Sequence, residues 1–151
     1  MYFITIALLL FLFPIVSVAI EAAMAGGADI WWLVGKWFVF WGSGVRLFLA
    51  GLMQTFRPEF TSKSIFNIDA PAAQAIVREV GFGNLSMGAL ALATLTEPRW
   101  IVPAAVVSGL YYGLAGLGHL FRQGNLKERV ALWTDFWMFV ILAIFIVHQL
   151  A

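Results

Sequence analysis

The chain has 151 residues, of which 62% are hydrophobic and 11% charged, with a net charge of +1 and a mean hydropathy of +0.92. A soluble domain carries about 45–50% apolar and about 25% charged residues, so too few polar side chains are present here to clothe a water-facing surface, and lipid is the expected solvent. The near-zero charge offers no nucleic-acid footprint, and the absence of cysteine removes disulfides, thiolate nucleophiles and cysteine metal sites.

Charge-free runs place five helices in chain order, since a crossing needs roughly 20 apolar residues. The first is MYFITIALLLFLFPIVSVAI, Met1 to Ile20, with no charge before Glu21. Pro14 removes a backbone donor in its middle, which predicts a kink and a freed carbonyl at Leu10. Ala23-Met24-Ala25 follows, a pattern that also suits a cleaved secretory signal. No Lys or Arg precedes the run, and it is longer than a signal core, so it is read as a membrane helix. The second helix begins near Trp31 and ends near Phe56, with Lys36 near its start and Arg46 inside it. The segment from Arg57 to Gln74 is the longest connection and is expected to be structured. Asp69-Ala70-Pro71 suits a helix start with proline in the first position, so the third helix begins below the membrane and enters it around Val80. Its apolar part lies between Glu79 and Glu97. The fourth helix lies between Arg99 and Arg122, with Pro103 tolerated in its first turn, and the fifth runs from Arg129 to the C-terminus. The expectation is an all-α, polytopic transmembrane bundle of about five helices forming one integral-membrane domain over residues 1–151.

Basic residues in short loops set the orientation. Arg57, Lys63 and Arg78 lie between helices two and three, and Arg122, Lys127 and Arg129 between four and five, whereas the other side has Arg99 and Lys36. The N-terminus is therefore placed in the cytoplasm and the C-terminus outside, in a cell inner membrane. Trp31, Trp32 and Trp100 join an aromatic belt on the outer side, and Lys36 snorkels outward.

Ionisable residues inside a membrane are costly and point to function unless a structural role explains them. Arg46 is about 15 Å from either end of a 20-residue span and needs a carboxylate, backbone carbonyls or water. Gly42, Arg46, Ala50 and Gln54 follow one another at spacings of four, with Arg57 close to the stripe. In REVGFGNLSMG, Gly81 and Gly88 share a face with Asn84, so a neighbouring backbone can approach and the amide can reach a partner. In SGLYYGLAGLGH, Gly109 and Gly113 form a small-residue spacing supported by Ala115, Gly116 and Gly118, while Tyr112, Gly116 and His119 share a face. Asp135 lies one to two turns into helix five. His119 and His148 fall at opposite ends of the bundle, so they do not sandwich one haem. Under this topology Gln54, Arg57, Glu79, His119 and Asp135 gather toward the cytoplasm, and Asn84 and Arg46 continue the polar column inward.

The same residues resemble a family of small prokaryotic integral-membrane proteins of unknown function. Its pattern pairs E-V-G-x-x-N-L-x-x-G with a later G-x-x-H and a downstream Asn and Asp. Here EVGFGNLSMG spans Glu79 to Gly88, GLGH spans Gly116 to His119, and Asn125 and Asp135 follow, so the resemblance covers most of the chain from helix two onward. Where the family often has a His near the end of helix two and a Gly-Ser-Pro-Phe-Gln-like stretch, this chain has Gln54 and DAPAAQ. The resemblance implies no activity and names no cofactor. A looser likeness to DoxX-like four-helix membrane proteins concerns the fold alone.

Two functions remain open on this sequence. One is a structural or accessory membrane protein, self-associating as a homo-oligomer or docked on other membrane subunits, for which the glycine faces speak. The other is a cytoplasm-facing site for a lipid, a quinone, a small polar ligand or a metal, in a carrier or a membrane enzyme, built from Arg46, Gln54, Glu79, Asn84, Tyr112, His119 and Asp135. Of these, Glu79, His119 and Asp135 are the donors suited to a divalent metal or to catalysis. No nucleophile or activated water stands out, so no reaction and no metal ligand set is assigned. Membrane lipid is the one partner composition itself implies, and no nucleic acid is expected.

Overall fold

The computed structural model describes residues 2–121 and 125–151; Arg122, counted above toward orientation, lies outside them. Its long helices are α1 (Phe3–Ala25), α2 (Ile30–Phe56), α4 (Pro71–Ala93), α5 (Ile101–Leu120) and α6 (Leu126–Leu150), with the short α3 (Pro58–Ser64) between α2 and α4. Among the described residues there is no strand. Among the described residues, four stretches are long and apolar enough to cross a membrane: α1, α2, Pro98–Leu120 and α6. On this measure four of the five expected crossings are found among the described residues; α4, although 23 residues long, carries Arg78, Glu79 and Asn84 and falls outside the set.

Local chemistry explains the boundaries. Gly26 and Gly27 end α1 with positive φ values of 44° and 101°, which side chains disfavour, and so permit the tight reversal into α2. Asp29 caps α2 by accepting from the Trp31 amide at 2.9 Å. Pro71 occupies the first turn of α4, as the Asp-Ala-Pro stretch predicts. Asn125 caps α6 by accepting from the Glu128 amide at 3.1 Å.

Two helices are interrupted by π-helical turns: Leu8–Leu12 in α1 and Val39–Val45 in α2. Pro14 follows the first, and the carbonyl of Leu10 accepts from the Trp137 indole at 3.3 Å. The freed carbonyl predicted from Pro14 thus finds its partner on α6. In the second, the Gly42 carbonyl accepts from the Tyr112 hydroxyl.

Glycines fix which helices touch. An added Cβ at Gly35 would come within 2.2 Å of the Phe145 ring, and one at Gly42 within 2.4 Å of Met138, so α2 lies directly against α6. Gly51 faces Leu85 and Gly81, while Gly88 faces Phe48, which brings α2 and α4 to backbone contact in antiparallel register. Gly113 faces Phe139 and Gly116 faces Phe136, setting α5 antiparallel to α6; Gly109 makes only ordinary contact with Leu142 at 3.6 Å. The pairings Glu21–Lys36 and Ser17–Trp41 set α1 antiparallel to α2. One end of the bundle therefore holds Ala25, Trp31, Ile101 and His148, and the opposite end holds Phe56, Pro71, His119 and Leu126.

The Trp31 end is packed with apolar side chains: Leu33, Phe38, Ile101, Ala104, Ala105, Leu142 and Phe145 are buried there. On its surface Arg99 pairs with Glu97 at 2.7 Å, and Lys36 reaches Glu21 at 2.7 Å while the Trp37 indole donates to the same Glu21 carboxylate at 2.7 Å. Lys36 is thus paired with an acid of α1 rather than extended alone into the headgroups.

Candidate functional site

Toward the His119 end the packing opens into a cavity of about 650 Å³, walled by residues from all six helices. Arg46, Gln54, Asn84, Tyr111, Tyr112, His119 and Asp135 supply its polar lining, and Leu9, Leu47, Met53, Phe60 and Phe66 are among its apolar walls.

Arg46 is positioned by the turn after the π segment of α2. Its Nη2 donates to Asp135 Oδ1 at 3.0 Å and to Thr134 Oγ1 at 3.3 Å, and its guanidinium lies 5.1 Å from the Tyr112 ring centre. Thr134 passes its own hydroxyl proton to the Val130 carbonyl at 2.8 Å, leaving its oxygen to accept from Arg46. Of the partners expected for Arg46, a carboxylate is the one found: Asp135, which is 6% exposed. A pair of this kind is held by its geometry, since desolvation of both ions offsets much of their attraction.

The acidic chain continues outward. His119 Nδ1 lies 3.2 Å from Glu128 Oε1, and His119 Nε2 lies 3.9 Å from Asp135 Oδ2. The Phe66 ring stacks on the imidazole at 6.2 Å with 19° between the planes. Glu128 is 5% exposed, held at the first turn of α6, and Asn125 beside it donates to the carbonyls of Ser64 and Ile65, tying α3 to the site. Among the described residues no group of three His, Asp or Glu is placed to hold a metal ion.

On the α4 side, Asn84 is 2% exposed and donates from Nδ2 to Gln54 Oε1 at 2.6 Å. Its Oδ1, like Arg46 Nη1, is buried without a hydrogen-bond partner. Leaving such a group unsatisfied costs about 1–3 kcal/mol.

Six of the seven polar residues singled out in the sequence thus line one cavity: Arg46, Gln54, Asn84, Tyr112, His119 and Asp135. Glu79 does not, and this corrects the reading above. The buried stripe of α4 is Val77, Gly81, Asn84, Gly88 and Ala91, and Glu79, two residues from Val77, is turned to the far side and exposed. Arg57 is likewise exposed outside the site. Gly81 and Gly88 meet α2, and Gly113 and Gly116 meet α6, whereas Gly83 and Gly118 have open space beside them.

Sequence reasoning missed Tyr111, Thr134 and Glu128. For Glu128 a signal exists: Asn125 stands three residues before it, the spacing of a helix start, and Asp135 stands seven residues after it, on the same face.

No curated protein and no solved structure matches the chain. A family model does match, over residues 1–151, and it is that of a family of unknown function (DUF6790).

Proposed function

The chain belongs to that family of unknown function, membership of which assigns no activity, and from the site we propose that it is a membrane protein binding an amphiphile inside its helix bundle. The ligand class is a lipid or a quinone-like molecule, its head at Arg46, Asn84 and His119 and its tail along Leu9, Leu47 and Met53. The carrying observation is the cavity of about 650 Å³, within the range of about 300–1,000 Å³ usual for ligand sites, with apolar walls and a few convergent polar groups. A bundle whose polar residues served only to glue helices together would close on them instead.

The accessory-subunit reading drew on glycine faces in search of a partner. Gly51, Gly81, Gly88, Gly113 and Gly116 are already covered within the chain, which favours the cavity. The DoxX likeness adds nothing at the level of the site, and EVGFGNLSMG and GLGH are read as the stretches that build the α4 and α5 walls.

We further propose that α4 makes a fifth crossing. It connects the Phe56 end of α2 to the Ile101 end of α5, and its residues 81–92 run beside residues 44–54 of α2. Arg57, Lys63, Arg78, Lys127 and Arg129 belong to the His119 end, against Lys36 and Arg99 at the other. By the positive-inside rule the His119 end faces the cytoplasm of an inner membrane and the C-terminus lies outside.

The test is ligand retention. The full chain, purified in mild detergent, carries an apolar molecule detectable by native mass spectrometry, and Ala115→Trp, which fills the cavity from α5, abolishes it while the protein stays folded. Equal retained mass in both proteins overturns the reading.

A further inference from the structure

We infer that the cavity selects an uncharged head group, one that offers an acceptor to Arg46 and a hydroxyl donor to Asn84, and that it rejects anions. The inference rests on the binding reading above and concerns what is bound.

A buried arginine at first sight suggests a carboxylate or phosphate ligand. Here the position is already taken, because Asp135 meets Arg46 at 3.0 Å and the guanidinium's charge is matched inside the protein. The next ionisable pair repeats the pattern: His119 faces Glu128 at 3.2 Å. With His119 protonated, the two cations balance the two carboxylates; with it neutral, the group carries excess negative charge. Neither state leaves a positive charge free for an anionic head. Lys127 stacks on Phe60 at 5.4 Å but is not among the residues lining the cavity. An anion would therefore enter a low-dielectric space uncompensated, where burial of an unpaired charge is strongly disfavoured.

What does remain is hydrogen-bonding capacity of defined polarity. Arg46 Nη1 is a donor and Asn84 Oδ1 an acceptor, both buried and both without a partner among the described residues. Asn84 is 2% exposed, so its oxygen is withheld from bulk water. A neutral head with adjacent carbonyl and hydroxyl groups, as a glyceryl ester carries, offers the acceptor and the donor that these two atoms lack. Leu9, Leu47, Met53 and Phe60 accept the tail.

The experiment uses the full chain in phosphatidylcholine nanodiscs, presented with equimolar 1-decanoylglycerol and decanesulfonate and read by native mass spectrometry. The two probes match in tail length, and the sulfonate stays anionic at any usable pH. The wild-type protein retains the glyceride over the sulfonate by at least about tenfold. Asp135→Asn removes the internal counterion and shifts the ratio toward the sulfonate. Asn84→Ala lowers glyceride occupancy and leaves the sulfonate unchanged, and it carries the test if Asp135→Asn does not fold. Sulfonate bound as well as the glyceride in the wild type overturns the inference, as does an unchanged ratio in both folded variants. Retention of neither probe by any protein overturns the binding reading itself.

Discussion

The two ends of this bundle solve the same problem by different means. At the Trp31 end, α2, α5 and α6 close on one another through Leu33, Ile101, Ala104, Ala105, Leu142 and Phe145, with no ionisable group in the core. At the His119 end, α2, α5 and α6 continue but hold Arg46, Asp135, His119 and Glu128 around a cavity. The boundary is abrupt: Met138 is fully buried against Gly42, and Asp135, one turn away on the same face of α6, carries the ion pair. In lipid the apolar half gains little from the hydrophobic effect, because acyl chains are as apolar as leucine, so close contact between small and large residues holds it. The polar half is organised by charge pairing and is left incompletely filled. Cohesion and ligand recognition are therefore separated along the length of the same helices.

The comparison is best broken at Asp135. Asp135→Leu leaves Arg46 buried without its counterion and is expected to cost about 3–5 kcal/mol, read by denaturant unfolding in detergent. Adding Arg46→Met to it is expected to recover most of that loss, with amphiphile retention abolished in the double variant because the arginine that holds the head is gone. Failure of the double variant to recover stability would mean that the pair is more than a mutual neutralisation. On the other side of the boundary, Met138→Ala is expected to cost about 2–5 kcal/mol by opening a void against α2, with retention of the bound amphiphile unchanged. Loss of ligand in that variant would show that the two halves are one unit. The smallest effect belongs to Glu79→Gln, expected within about ±0.5 kcal/mol and without change in retention, since the side chain is exposed and turned away from the cavity.

Much of this arrangement is written in charge and periodicity. The depth of Arg46 calls for a carboxylate, backbone carbonyls or water, and the Gly81–Asn84–Gly88 face and the Tyr112–His119 face point two further helices at the same region. Pro14 announces the carbonyl that Trp137 captures. Other features have no such mark. Glu79 sits beside Arg78 where a helix enters the membrane, and only the phase of the buried stripe, set by contact with α2, decides that it faces away. Which acid serves Arg46 depends on helix neighbours, and Glu128 reads as one more loop charge until α3 and α6 close over it. The π turns leave no sequence pattern beyond the small residues Gly42-Ser43-Gly44.

The π turn at Val39–Val45 divides α2 into two halves with different neighbours. Before it, Gly35 and Phe38 meet Phe145 and Trp137 of α6; after it, Gly51 meets α4 while Arg46 still reaches Asp135. A π turn inserts one extra residue into the helical winding, and each residue of an ordinary helix advances the side chain by about 100°. A single-residue deletion between Val39 and Val45 would let this segment rewind to ordinary α-helix with the residues beyond it close to their present phase. An ordinary helix that kept every residue would instead turn all that follows by roughly that angle. Arg46 would sweep out of reach of Asp135, and the glycine seam with α4 would slip out of mesh. The extra residue works as a vernier, setting the angular offset between the half of α2 that braces the bundle and the half that lines the cavity.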